Sequence, residues 1–229
     1  ARFNQRRLFR SEFTLDFGLL SHKYITAQSL SLFKSFRTLN TTSSYGFTLY
    51  NSFGNLFLYE SHDKFELFPF HQRKFKAWYS HAWRKTDRVF ATLLAEMDDV
   101  NRGKDSTLAY DNTGRILIAF SSVSEDYIRT SRINKYQTED LSVGGWGTAV
   151  MGRVFPVNSK GERLFYVGAQ GEKSILLSNL YLYGQITGST AFSGSQGRFT
   201  YQEFMGLGFY RISTPFLFAA KIHQQTVNF

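Results

Sequence analysis

Residues 144–170 read GGWGTAVMGRVFPVNSKGERLFYVGAQ, two alternating stretches on either side of a polar turn. In the first stretch Val150 and Val154 alternate with Met151 and Arg153. Successive side chains of a strand point to opposite faces, so alternation of this kind is typical of β-structure. The segment predicts a β-hairpin, and its residues suggest no catalytic group.

Composition narrows the class of protein. The chain has 229 residues, of which 17% are aromatic, with three prolines, no cysteine and a formal net charge of +9. Such an aromatic content argues against disorder, and the lack of cysteine excludes disulfides and thiolate metal sites. No window offers the roughly 20 consecutive apolar residues of a membrane-spanning helix, so crossing a membrane would require a β-barrel. The positive charge would attract anions, anionic lipid or nucleic acid.

Positive charge is concentrated in residues 1–12, where four arginines precede Glu12. This segment is interpreted as a basic arm that binds a polyanion, as the remnant of a targeting segment, or as a solvated tail. It lacks the apolar core of a secretory signal, so the chain is expected to be a mature product. Residues 13–229 are expected to form a single β-rich domain.

Two segments have a helical period. In residues 24–40, apolar side chains such as Leu32 and Phe36 gather on one side, and in residues 86–102 Phe90 and Leu94 do the same. Thr86 or Asp87 would cap the second helix. A strand over residues 88–97 is the competing interpretation, but its alternation is poor, so a helix is favoured. One or two accessory helices are therefore predicted within a mainly β protein.

The last third of the chain alternates between two kinds of face. Lys221 and His223 alternate with Phe218 and Ile222, and the chain printed here ends at Phe229. Charged groups opposite an apolar face are typical of a barrel with a polar lumen, and outer-membrane barrels commonly end in an aromatic residue. A soluble sandwich also buries one face of each strand, so alternation alone does not separate the two folds.

Three segments resemble phosphate-selective porins of bacterial outer membranes. They are DFGL at 16–19, AFSSVSEDY at 119–127 and AVMGRVFPVNSKGERLFYVGAQ at 149–170. The matching positions of the third segment are Gly152, Arg153, Val154, Pro156, Val167, Gly168 and Ala169. The resemblance implies an anion pathway lined by basic side chains. Such porins have about sixteen strands, whereas this chain has room for roughly 10–12, so phosphate selectivity does not carry over.

A search for reaction chemistry gives little. The five histidines are scattered, without the spacing of a zinc site, so no metal, cofactor or enzyme activity is predicted. The tract at 71–85 interleaves Arg73, Lys74 and Lys76 with aromatic residues. Such a tract can stack bases and neutralise phosphates, anchor a barrel at the membrane interface, or form a strand with solvated cations.

These observations favour a mainly β protein, an antiparallel β-barrel of roughly 10–12 strands in a bacterial or organellar outer membrane. It is expected to contact membrane lipid, to pass small anionic solutes as a passive or assembly-associated channel, and to form a homo-oligomer or a larger assembly. Arg153, Lys221 and His223 are the predicted lumen cations, and Arg73, Lys74 and Lys76 a second basic patch. The alternative is a soluble β-sandwich or jelly roll, a structural subunit of a capsid or organellar complex whose basic arm binds nucleic acid or a neighbouring subunit.

Overall fold

The computed structural model describes residues 1–60, 64–102, 112–131, 138–157, 161–212 and 216–228. These residues form twelve strands and one short 3-10 turn, Leu8–Arg10. The strands are β1 Arg2–Arg6, β2 Phe13–Ser21, β3 Ile25–Lys34, β4 Ser43–Glu60, β5 Lys64–Trp83, β6 Arg88–Arg102, β7 Thr113–Thr130, β8 Glu139–Pro156, β9 Leu164–Leu177, β10 Leu180–Ser193, β11 Gln196–Arg211 and β12 Leu217–Asn228. Phe229 lies outside the described residues.

The strands form one sheet in which their order is their order along the chain, from β1 to β12. The pairing is antiparallel, as expected when neighbouring strands are joined by short turns. The mainly β class is therefore confirmed, while the sheet as described is not closed. Within the described residues the order contains no crossover, whereas a Greek key or jelly roll places non-consecutive strands side by side.

Both predicted helices are wrong, and the alternative strand over residues 88–97 is confirmed. The first segment contains β3, which pairs with β2 on one side and with β4 on the other, and the second contains β6. In β3 the side chains alternate, with Leu30 exposed and Ala27 buried on the opposite face. Asp87, a predicted helix cap, instead has a φ of 50° between β5 and β6. Apolar residues occur on both faces of these strands. When the two faces are taken together, their apolar residues are spaced as in a helix, which explains the wrong prediction.

The contacts divide the chain into two compact units. The first unit contains residues 1–81, 92–118 and 153–163, and the second contains residues 82–91, 119–152 and 164–229. The basic segment 1–12 belongs to the first unit, where β1 pairs with β2 and the Arg2 guanidinium donates to Asp16 at 2.5 Å. Each unit is described separately below.

Few apolar side chains are buried. In the described residues the buried hydrophobic set consists of Ala27, Ala82, Val100 and Ala191. The accessible surface of the chain is 15752 Å², against about 10,600 Å² for a soluble monomer of this mass. The strands are therefore held together mainly by backbone pairing and contacts along the sheet rather than by a conventional hydrophobic core.

Gly46 in β4 makes room for two aromatic rings of the first unit. It lies opposite Phe33 of β3 and Trp78 of β5, and the ring centroids of these two residues are 6.3 Å apart. A Cβ at position 46 would lie 2.5 Å from the Phe33 Cβ and 2.7 Å from the Leu32 carbonyl oxygen. The glycine thus permits close aromatic packing across the strand.

Gly46→Ala is expected to lower the free energy of unfolding by about 1–3 kcal/mol, because backbone and rings must shift to admit the methyl group. Gly184→Ala is the matched control, since a Cβ there meets no heavy atom within 4 Å. Urea titration of both variants measures the difference. Equal stability of the two variants would contradict the packing argument.

Candidate functional site

The first unit exposes an apolar face. Phe17, Leu30, Leu49 and Phe75 are directly opposite one another across β2, β3, β4 and β5. All four are exposed, with Leu49 at 44%. The adjacent row on the same face is also apolar and consists of Leu15, Leu32, Phe47 and Ala77. The exposed side of these strands is therefore the hydrophobic side.

Aromatic residues mark one edge of this apolar face. Phe13 and Tyr45 meet edge to face with centroids 5.8 Å apart, and Tyr45 and Tyr79 stack at 6.4 Å. Lys34 lies between Phe13 and Tyr45 in the register and forms an ion pair with Glu12, which holds the pKa of the Glu12 carboxyl below its usual value. The row combines aromatic rings with a cation.

Three polar side chains interrupt the apolar face further along the strands, between the exposed Leu19 of β2 in the same row and Phe53 of β4 in the next. Gln28, Asn51 and Arg73 follow one another across β3, β4 and β5 on the same face. Asn51 is 2.7 Å from the His71 ring nitrogen Nε2. An exposed apolar face with a row of aromatic residues at one edge is the pattern of a surface at a bilayer interface.

The opposite face of the first unit is less exposed and polar, and it is defined here as the polar face. The Asp98 carboxylate accepts a hydrogen bond from the Gln72 amide at 2.9 Å and lies 3.0 Å from the Lys74 ammonium. Arg115 pairs with Glu96 at 3.4 Å. Hydroxyl groups fill much of the remainder, as in the 2.8 Å bond from Thr92 to Ser80.

The second unit repeats this distribution. On its exposed face Ile186 of β10 lies opposite Phe204 of β11, and Ile186 and Ile222 are each 64% exposed. Glycines occupy many of the intervening positions on this face. The exposed side is again apolar, and polar side chains are collected on the other side.

Two carboxylates organise the polar face of the second unit. The Tyr183 hydroxyl donates to Glu172 at 2.7 Å. The Tyr201 hydroxyl donates to Glu203 at 2.6 Å, and the His223 ring nitrogen Nε2 is 2.9 Å from the other Glu203 oxygen. Each carboxylate therefore has a tyrosine donor, and Glu203 also has a partner that is cationic when protonated.

The structure brings four of the predicted residues onto polar faces. Lys74 and Lys76 share the polar face of the first unit, because they alternate with Arg73 along β5. Lys221 and His223 share the polar face of the second unit, opposite Leu207 and Met205. Lys74 and His223 each face a carboxylate, whereas Lys76 and Lys221 have no acidic partner among the described residues.

The other two predicted residues lie elsewhere. Arg73 is exposed on the apolar face of the first unit, next in the register to Asn51. Arg153 is exposed. Val150 and Val154 lie on the same side of β8 as Thr148, and Arg153 lies on the opposite side. The Thr148 hydroxyl bonds to Ser121 on the polar face. The alternation correctly predicts that Arg153 and the two valines lie on opposite faces of β8. Arg153, however, is on the exposed face and not on the polar face.

The sequence reasoning missed the carboxylates of the polar faces, which are Glu96, Asp98, Glu172 and Glu203. The helical period of residues 86–102 predicts a helix, in which Glu96 and Asp98 do not share a face, whereas in β6 they do. Glu203 alternates with Phe204 in the sequence, which is the signal that could have revealed it.

Comparisons with protein-family models, with curated proteins and with solved structures give no match for this chain. The porin resemblance stays a prediction. Among the described residues no helix is long and apolar enough to span a membrane. In the same residues no cluster of three or more histidines and carboxylates is arranged to hold a metal ion.

Proposed function

We propose that this protein is an outer-membrane-type β-barrel that works as a passive channel for small anionic solutes. The observation that carries the proposal is the inverted distribution of side chains. Exposed faces are apolar in both units, and the less exposed faces hold ion pairs and hydroxyl groups. Transmembrane barrels have an apolar outer face and a polar interior.

A bilayer explains why so much apolar surface can remain outside. Soluble monomers rarely expose large contiguous apolar patches, because water contact is unfavourable for them. In lipid the same side chains meet hydrocarbon, and the strand backbone satisfies its hydrogen bonds within the sheet. A transmembrane strand needs about 9–11 residues, and β2 to β12 contain between 9 and 20.

The proposal includes closure of the sheet. β1 and β12 are the first and last strands of the order, and their side chains are exposed along their described lengths. Unpaired strand edges cannot be tolerated in hydrocarbon, because their backbone groups would have no partner. Pairing of β1 with β12 would remove both edges and enclose the polar faces.

Anion preference would come from the cations on the polar faces. Lys76 and Lys221 are the candidates, since Lys74, Arg115 and His223 each face a carboxylate. An unpaired cation beside a low-dielectric wall raises the local concentration of anions. The overall charge of +9 also favours anionic solutes.

The proposal predicts that the purified chain requires detergent or lipid to stay in solution. Its migration in gel electrophoresis should also change on heating, because a closed barrel resists the detergent until it unfolds. The measurement is electrophoresis of heated and unheated samples refolded into vesicles. Solubility without detergent, with nucleic-acid binding that is lost on deletion of residues 1–10, would instead support the soluble subunit of a larger assembly.

A further inference from the structure

Two arginines share one cavity at the end of β8. The cavity has a volume of about 510 Å³ and is lined by Arg153, Arg163, Phe155, Pro156, Val157 and Gly161. Neither guanidinium has a hydrogen bond or an ion pair with the described residues. Two unpaired guanidinium groups beside one space form a site of high positive potential.

The neighbouring backbone is well defined by pairing. The Val157 amide donates to the Asn112 carbonyl at 2.7 Å. The Phe155 ring covers Gly114, where a Cβ would overlap it. These two contacts set the register of β8 against β7 and place Arg153 opposite Ile116, which is 50% exposed. Arg153 therefore lies at the end of an exposed apolar surface.

Arg163 lines the same space and follows Gly161 closely in the chain. Gly161 has a φ of 145°, a conformation that other residues rarely adopt, and its own Cβ position would be 3.1 Å from the Pro156 Cβ. The glycine thus lets the chain pass close to Pro156 before Arg163. Arg163 is exposed, like Arg153, so an incoming anion can reach both groups.

We infer that this cavity binds the phosphate group of an anionic membrane lipid. Guanidinium groups bind phosphate through paired, charge-assisted hydrogen bonds. Phe155, Pro156 and Val157 provide apolar contacts beside the cations, which suit a phosphate that carries acyl chains better than a free ion. The inference rests on the proposed membrane location of the protein, and it assigns Arg153 to lipid rather than to the lumen.

The test uses the full chain in detergent and measures binding by calorimetry. The probes are short-chain phosphatidic acid, short-chain phosphatidylcholine and inorganic phosphate. We expect phosphatidic acid to bind at least about tenfold more tightly than either other probe, and R153Q and R163Q each to weaken it about tenfold. R129Q is the matched control, because Arg129 is an exposed strand arginine, paired with Asp140 at 3.9 Å, outside this cavity.

Circular dichroism and the change in electrophoretic migration on heating establish that each variant is folded. The R153K variant provides a further check. Lysine keeps the charge but not the paired donors, so R153K should bind phosphatidic acid with an affinity between wild type and R153Q. Unchanged affinity in R153Q and R163Q would overturn the site while leaving the barrel proposal intact. Inorganic phosphate binding as tightly as phosphatidic acid would overturn the lipid assignment. A chain soluble without detergent would overturn the membrane location, whatever the probes show.

Discussion

Leu30→Arg is expected to lower the free energy of unfolding in lipid vesicles by about 2–4 kcal/mol, the cost of an arginine on the lipid face near the middle of a barrel. Leu30 lies in the apolar row with Phe17 and Leu49 and is exposed. On a water-exposed surface the same change would alter stability by only about 0.5 kcal/mol. The result therefore reports directly on what surrounds this face.

Gln28→Arg is the matched control for Leu30→Arg. Gln28 is on the same strand and the same face, two positions away, but it is itself polar and shares its row with Asn51 and Arg73. We expect Gln28→Arg to cost only about 0–1 kcal/mol, the cost of an arginine near the interface, because the same row already holds the exposed Arg73. Urea titration in vesicles compares the two variants. A Leu30→Arg protein as stable as Gln28→Arg, or one that no longer needs detergent, would favour the soluble alternative.

Sequence alternation was sufficient to predict the mainly β class, because strand faces differ in composition at every second residue. It separated Lys221 and His223 from Ile222, and the structure places the first two on one face. It could not show which face meets which surroundings. Val150 and Val154 are apolar yet follow Thr148 on the polar side, so their hydrophobicity pointed Arg153 to the wrong side of β8.

The predicted helices failed for a related reason. β3 and β6 have apolar residues on both faces, and the register with neighbouring strands, which the sequence does not contain, determines their conformation. The partnership of Lys74 with Asp98 depends on the same pairing between distant segments. These ion pairs determine which cations are neutralised by a carboxylate, such as Lys74, and which remain able to attract an anion, such as Lys76.

Lys76→Glu combined with Lys221→Glu is expected to lower the ratio of anion to cation permeability about tenfold or more. A unit charge about 10 Å from a permeating ion contributes about 1.7 kcal/mol at an effective dielectric constant of about 20, and each substitution reverses that contribution. Lys76 and Lys221 are on polar faces and lack acidic partners among the described residues. The measurement is the reversal potential of the channel in planar bilayers under a salt gradient.

Arg73→Glu separates a pore effect from a general change in surface charge. Arg73 is three positions before Lys76 on β5 and faces the opposite side of the sheet, so its charge should leave the reversal potential unchanged. The effect of the lysine substitutions should shrink as salt rises, because the Debye length falls from about 10 Å at 0.1 M to about 3 Å at 1 M. If the double substitution of Lys76 and Lys221 leaves selectivity unchanged at low salt, these lysines do not line an ion pathway. The channel assignment then fails even if the protein inserts into membranes.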